Sequence, residues 1–88
     1  VVQATSTALR RFIIDNFMFG QEDPPLGDAE SLLQRGIVDS TGVLELVGFL
    51  ERHFGIDVLD HEIVPANLDS LDSLTRFVEA KRGWKAAR

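Results

Sequence analysis

Leu9, Phe12, Ile13 and Phe17 recur at the three-and-four spacing of an amphipathic helix, and Thr5-Ser6-Thr7 ahead of them supplies N-capping hydroxyls. With Gly20 as the residue that ends it, a first helix is expected over 6–19. Gln21 to Asp28 contains Pro24, Pro25 and Gly27, which break any helix. The stretch from there to Val38 is longer than most helix–helix connections, and Leu32, Leu33, Ile37 and Val38 read as its anchors around a short turn at 29–34. Asp39-Ser40 opens a second helix that should end near Phe54, with Gly55 as its stop. Along it Val43, Leu46, Val47, Leu50 and Phe54 share one face, and Thr41, Glu45, Gly48 and Arg52 the opposite one. Ile56-Asp57-Val58 has no partner strand and reads as an extended connector. Pro65-Ala66-Asn67-Leu68 suits one short turn or 3₁₀ segment with Pro at its first position. Asp69 or Ser70 can cap a last helix that buries Leu71, Leu74, Phe77 and Val78 and runs to about Lys81, with Gly83 beyond. The pattern predicts an all-α fold: a small bundle of three main helices plus one short helix, with a long loop between helices one and two.

Composition narrows what such a bundle can do. The chain has 88 residues, enough for one domain, here expected over 1–82 with a C-terminal tail at 83–88. Cysteine is absent, which excludes disulfides, a thiolate zinc site and a protein-borne thiol nucleophile. No apolar run approaches a membrane span, and residues 1–11 show no signal-peptide core, so a cytoplasmic protein is expected. Charge is segregated. Thirteen acids face two bases between Asp15 and Asp72, a net −11, while residues 1–14 carry +2 and residues 73–88 carry +4. An acidic middle repels phosphate backbones and attracts basic protein surfaces, which disfavours nucleic acid as a partner.

Candidate chemistry concentrates at the head of the second helix. Asp39 or Ser40 taken alone is an N-cap. A serine hydrolase would need a base beside Ser40. The only histidines are His53, about 20 Å along the same helix, and His61 in a connector, so no enzyme is read here. His53, Asp57, His61 and Glu62 have no familiar metal-ligand spacing, and no metal site is assigned.

The wider pattern is more specific. Gly36-Ile37-Val38-Asp39-Ser40 is followed by Leu44-Glu45-Leu46-Val47, Leu50-Glu51 and Phe54-Gly55-Ile56. Downstream come Ile63-Val64-Pro65-Ala66-Asn67-Leu68-Asp69-Ser70 and Leu74, Phe77 and Val78. Over roughly residues 6–82 the chain resembles the acyl and aminoacyl carrier proteins that depend on 4′-phosphopantetheine. The resemblance implies that Ser40 is the covalent attachment point, modified by a phosphopantetheinyl transferase with Mg²⁺ that Asp39 helps to bind. The arm's thiol would carry an acyl or aminoacyl thioester. The resemblance also implies partner contacts at Thr41, Leu44, Glu45, Gly48 and Glu51.

The departures carry information too. Thr41 and Gly42 follow the serine where many fatty-acid carriers have a bulky apolar residue and an acid, and Gly48 stands where a larger contact is common. They point to a specialised carrier, similar to discrete carriers charged by an ATP-dependent adenylating ligase and emptied by a downstream acceptor enzyme. Small aminoacyl or short-acyl cargo is expected to stay outside the bundle. The alternatives are a specialised fatty-acyl carrier for lipid biosynthesis and a helical interaction module without cofactor. A fatty chain would have to open space between the second and last helices, among Val43, Val47, Leu50, Phe54, Leu71, Leu74 and Phe77.

Overall fold

Four helices follow one another along the chain: α1 (Val2–Phe17), α2 (Ser40–Phe54), α3 (Pro65–Leu68) and α4 (Leu71–Ala86), with a 3₁₀ turn at Asp60–Glu62 between α2 and α3. The computed structural model describes residues 2–22 and 25–86, with side chains for 4–22 and 25–83. Pro24 of the proline pair, the Trp84 side chain, and Ala87 and Arg88 of the expected tail lie outside the described residues. The architecture is the expected one, all-α with three main helices, a short one, and a long connection between α1 and α2.

α4 is the hub on which α1, α2 and α3 all pack. The core is contributed by every element: Leu9 and Ile13 from α1, Leu46 and Leu50 from α2, Leu68 from α3, and Leu71, Leu74 and Val78 from α4. α1 meets α2 across aromatic rings. Phe12 stacks on Phe49 at 4.0 Å between centroids, and Phe17 meets Phe12 edge-on.

Helix ends differ from expectation where tertiary contacts outweigh local preference. α1 starts at Val2, not 6, so Thr5, Ser6 and Thr7 are interior. Thr5 is buried, and its hydroxyl donates to a Glu79 carboxylate oxygen on α4 instead of capping a helix. α1 also stops at Phe17, before the expected 19, because Phe19 and Gly20 both take left-handed φ (57° and 77°). α4 passes Lys81 and continues through Gly83 to Ala86. A glycine costs a helix roughly 1 kcal/mol but does not end it when Trp, Lys and Ala follow. Its cap is Ser70, whose Oγ accepts from the Ser73 N–H at 3.1 Å.

The connection between α1 and α2 is tied down at both ends. Arg10 on α1 donates to Glu22 (2.6 Å) and to the Leu26 carbonyl (2.7 Å), and pairs with Asp28. Leu26 is buried and is an anchor that the apolar pattern did not single out. Leu32 and Val38 are buried and Ile37 half-buried, as expected of anchors, but Leu33 is 43% exposed. The turn itself falls at 32–36 instead of 29–34. Asp69 joins this connection to the α3–α4 junction. Its carbonyl accepts from the Leu32 N–H (2.8 Å), and its carboxylate accepts from the Leu33 N–H (2.9 Å) and the Ser31 hydroxyl.

The 3₁₀ turn is held from a distance. Lys81 on α4 donates to Glu62 at 2.7 Å, and the Leu59 N–H donates to the same oxygen at 2.9 Å. The Lys81 hydrogen bond first, then that of Leu59, holds the Glu62 carboxyl below the ordinary carboxylate range. No helix among the described residues is long and apolar enough to cross a membrane.

Candidate functional site

Gly36, at φ 71°, lets the turn at 32–36 reverse, and its N–H donates to the Leu33 carbonyl at 3.0 Å. Val38 is then buried, which fixes the entry of α2 and turns the next two side chains toward solvent. Asp39 is the N-cap. Its backbone is extended (φ −106°, ψ −174°), and Oδ1 accepts from the Gly42 N–H at 2.7 Å. Its carbonyl takes the Val43 N–H at 2.9 Å, closing the first helical turn.

That division of labour matters for Ser40. The sequence left open whether Asp39 or Ser40 caps the helix, and in the structure Asp39 does. Ser40 is the first helical residue, exposed, and its hydroxyl makes no hydrogen bond among the described residues. The N–H groups of Ser40 and Thr41 belong to the first turn and have no acceptor within the helix. With the positive end of the helix dipole they favour an anion attached at Ser40. Asp39 commits one carboxylate oxygen to its cap, and the other has no partner among the described residues.

The remaining positions singled out on α2 divide into two groups. Thr41, Leu44 and Glu45 are exposed within the first turn and a half of α2, and Leu44 is 65% exposed, high for a leucine. Glu51 is exposed too, but its Oε2 accepts from the Val58 N–H at 3.0 Å and so ties the post-helix connector to α2. Gly48 is half-buried beneath the Arg52 guanidinium, whose Nη1 would lie 2.9 Å from a Cβ at that position. Gly42 has a different reason to be glycine. A Cβ there would meet Phe17 Cε1 at 3.0 Å, Val38 Cγ1 at 3.2 Å and Asp39 Oδ1 at 3.3 Å. The end of α1 therefore closes against the first turn of α2.

Between the long connection, the head of α2 and α3 lies an apolar crevice of about 70 Å³ that sequence reasoning missed. Val38 and Val43 form its α2 side, Leu33 its loop side, and Val64, Pro65 and Leu68 its α3 side, with Asp69 as the one acidic residue. Three segments distant in sequence build it, so no local pattern marks it. By contrast, the middle of the α2–α4 interface, where a fatty chain would have to open space, is closed: Leu46, Leu50, Leu71 and Leu74 are at most 1% exposed. A larger hollow of about 290 Å³ lies at the far end of α2, between Ala4, Thr5 and Ala8 of α1, Phe54 of α2 and Arg82 of α4. At the far end of α2, His53 stacks on Phe49 at 4.9 Å. Among the described residues no group of three His, Asp or Glu side chains is placed to hold a metal ion. The sequence matches no model of a known protein family and no curated protein.

Proposed function

We propose that this protein is a carrier that holds an acyl or aminoacyl group as a thioester on a 4′-phosphopantetheine arm attached to Ser40, and that presents it to partner enzymes. The observation that carries the reading is the division of roles at the head of α2: Asp39 caps the helix, leaving the Ser40 hydroxyl exposed and unengaged. A serine kept only for capping would have its oxygen on a backbone N–H.

The residues present fit the arm. Ser40 Oγ attacks the β-phosphate of coenzyme A, forming the Oγ–P bond as adenosine 3′,5′-bisphosphate leaves, and the serine proton passes to a base on the transferase. The Ser40 and Thr41 N–H groups and the helix dipole stabilise the phosphodiester. The free oxygen of Asp39 would be a ligand for Mg²⁺ in that complex, and the cation would offset the repulsion between the carboxylate and the incoming phosphates. When bound, the arm supplies the thiol that this cysteine-free chain lacks. Thr41, Leu44 and Glu45 form the docking face around Ser40, and the acidic middle of the chain steers basic partner surfaces to it.

The cargo is small, aminoacyl or short-acyl, loaded by an ATP-dependent adenylating ligase and passed to an acceptor enzyme. Two observations favour this over a fatty-acyl carrier. The α2–α4 core is closed, and parting it would forfeit packing on the order of 2–5 kcal/mol per large side chain. The crevice nearest the head of α2 is under half the ~150 Å³ that accommodates a benzene ring in an engineered core, and the larger hollow, about 290 Å³, lies at the opposite end of α2 from Ser40, against His53 and Phe54. The test is incubation with coenzyme A, Mg²⁺ and a broad-specificity phosphopantetheinyl transferase, followed by intact mass. One phosphopantetheine per chain is expected. An unmodified chain would favour an interaction module without cofactor.

A further inference from the structure

The hollow at the far end of α2 takes no part in the site at Ser40, which lies about 20 Å away along the helix. Three elements enclose it. Ala4 and Ala8, one turn apart on α1, leave the room by being small, and the Phe54 ring forms a wall. At about 290 Å³ it stands near the low end of the ~300–1,000 Å³ of small-molecule sites, with space for a single ring.

Two polar side chains reach the hollow with donors to spare. Arg82 on α4 holds its guanidinium 5.8 Å from the centre of the Phe54 ring and makes no hydrogen bond among the described residues. Its ion-pair partner there, Glu79, stands 3.9 Å away, beyond hydrogen-bond length. The Glu79 oxygen concerned already accepts from the buried Thr5 hydroxyl, which holds that carboxylate toward α1. His53 meets Phe54 edge-on, 4.7 Å between centroids, and likewise makes no hydrogen bond among the described residues. An apolar floor, an aromatic wall and a guanidinium without a hydrogen-bonded acceptor therefore converge on one space.

We propose that this hollow binds a small aromatic monocarboxylate, its ring against Ala4, Ala8 and Phe54 and its carboxylate on Arg82. The planar guanidinium matches a carboxylate with two parallel N–H donors. One negative charge suits the site better than two. Glu79 is beside Arg82, and Phe54 is the last residue of α2, at the negative end of that helix's dipole, so a phosphate would meet repulsion from both. The alanine floor offers a bare anion nothing and an apolar ring a surface. The proposal does not rest on the carrier reading.

Benzoate, benzyl alcohol and acetate are titrated in turn into the full chain at constant ionic strength, with the ¹H–¹³C methyl signals of Ala4 and Ala8 as readout. Benzoate should shift both signals saturably, with half-effect at about 1 mM, while the ring without charge and the charge without ring should each bind roughly tenfold more weakly. Arg82 is exposed, so Arg82→Gln should keep the melting temperature; it should weaken benzoate about tenfold and leave benzyl alcohol unchanged. Ala4→Leu, also at an exposed position, should fill the floor and remove the benzoate response at Ala8. Shifts that do not saturate, equal affinity for benzoate and benzyl alcohol, or undiminished binding in either variant would overturn the site. Each result is read on a chain without the arm, so it stands whether or not Ser40 can be modified.

Discussion

Replacing each glycine of α2 by alanine, one at a time, separates two environments that the sequence makes look alike. Both positions are inside a helix, where glycine costs roughly 1 kcal/mol relative to alanine. At Gly48 the only close neighbour of an added Cβ is the Arg52 guanidinium, with Nη1 at 2.9 Å and the next atoms at 3.8 and 3.9 Å. This is the free end of an exposed side chain and can swing away, so most of the propensity gain should survive. Gly48→Ala should stabilise by about 0.5–1 kcal/mol. At Gly42 the added methyl meets three neighbours between 3.0 and 3.3 Å: the Phe17 ring, buried Val38 and the capping carboxylate of Asp39. Overpacking costs about 1–3 kcal/mol and a disturbed cap adds to it, so the propensity gain is cancelled or reversed. The two variants should therefore differ by about 1–3 kcal/mol with opposite tendencies. In a domain of this size 1 kcal/mol moves the melting temperature by about 4–8 °C. Thermal and urea unfolding followed by circular dichroism will resolve that. Equal stabilisation by both alanines would refute the close approach of α1 to the head of α2, and with it the placement of the Phe17 ring against Gly42.

Three further outcomes follow from named contacts. Asp39→Ala should cost about 0.5–2 kcal/mol by urea unfolding, whereas Asp39→Asn keeps an accepting oxygen for the Gly42 N–H and should cost less; if the Asn variant is also modified as fast as wild type, Asp39 has no role in binding Mg²⁺. Glu62 has a lowered carboxyl pKa because of Lys81 and then Leu59, so its contribution to stability is present above its unfolded value near 4.5 and fades as pH falls through the lower folded value. Lys81→Met should raise the Glu62 pKa in a carboxyl ¹³C titration and should destabilise more at neutral pH than in acid; a stability difference independent of pH would contradict the pair. Glu45→Lys should leave the melting temperature unchanged and slow loading by the partner ligase at low salt, with the difference shrinking as salt screens the charge; equal loading rates at low salt would remove Glu45 from the docking face.

How far the sequence could be read depended on how local each determinant is. α2 was legible at both ends, because Asp39, the apolar face and Gly55 all lie within seventeen consecutive residues and agree with one another. The start of α1 is not legible locally, because Thr5 is claimed by Glu79, a partner 74 residues away that no local rule sees. The 3₁₀ turn is hidden for the same reason, since its stabilising cation comes from α4. In the long connection the apolar anchors Leu32 and Val38 could be read. Arg10 and Asp69, which fasten it by hydrogen bonds to backbone, looked like ordinary surface charge. The candidate site divides along the same line. Ser40 and Asp39 are adjacent in the chain and could be found there, whereas the crevice exists only once the connection and α3 are folded against α2.

The central claim is that Ser40, and no other hydroxyl, carries the arm. Cleavage after Arg35 and Arg52 releases the peptide Gly36–Arg52, in which Ser40 and Thr41 are the only hydroxyl side chains. After treatment with coenzyme A, Mg²⁺ and transferase, fragmentation of that peptide should place a single phosphopantetheine on Ser40. The Ser40→Ala protein, folded as before because Asp39 still caps α2, should gain nothing. A wild-type peptide that stays unmodified, or an arm that appears on the Ser40→Ala chain, would contradict the account.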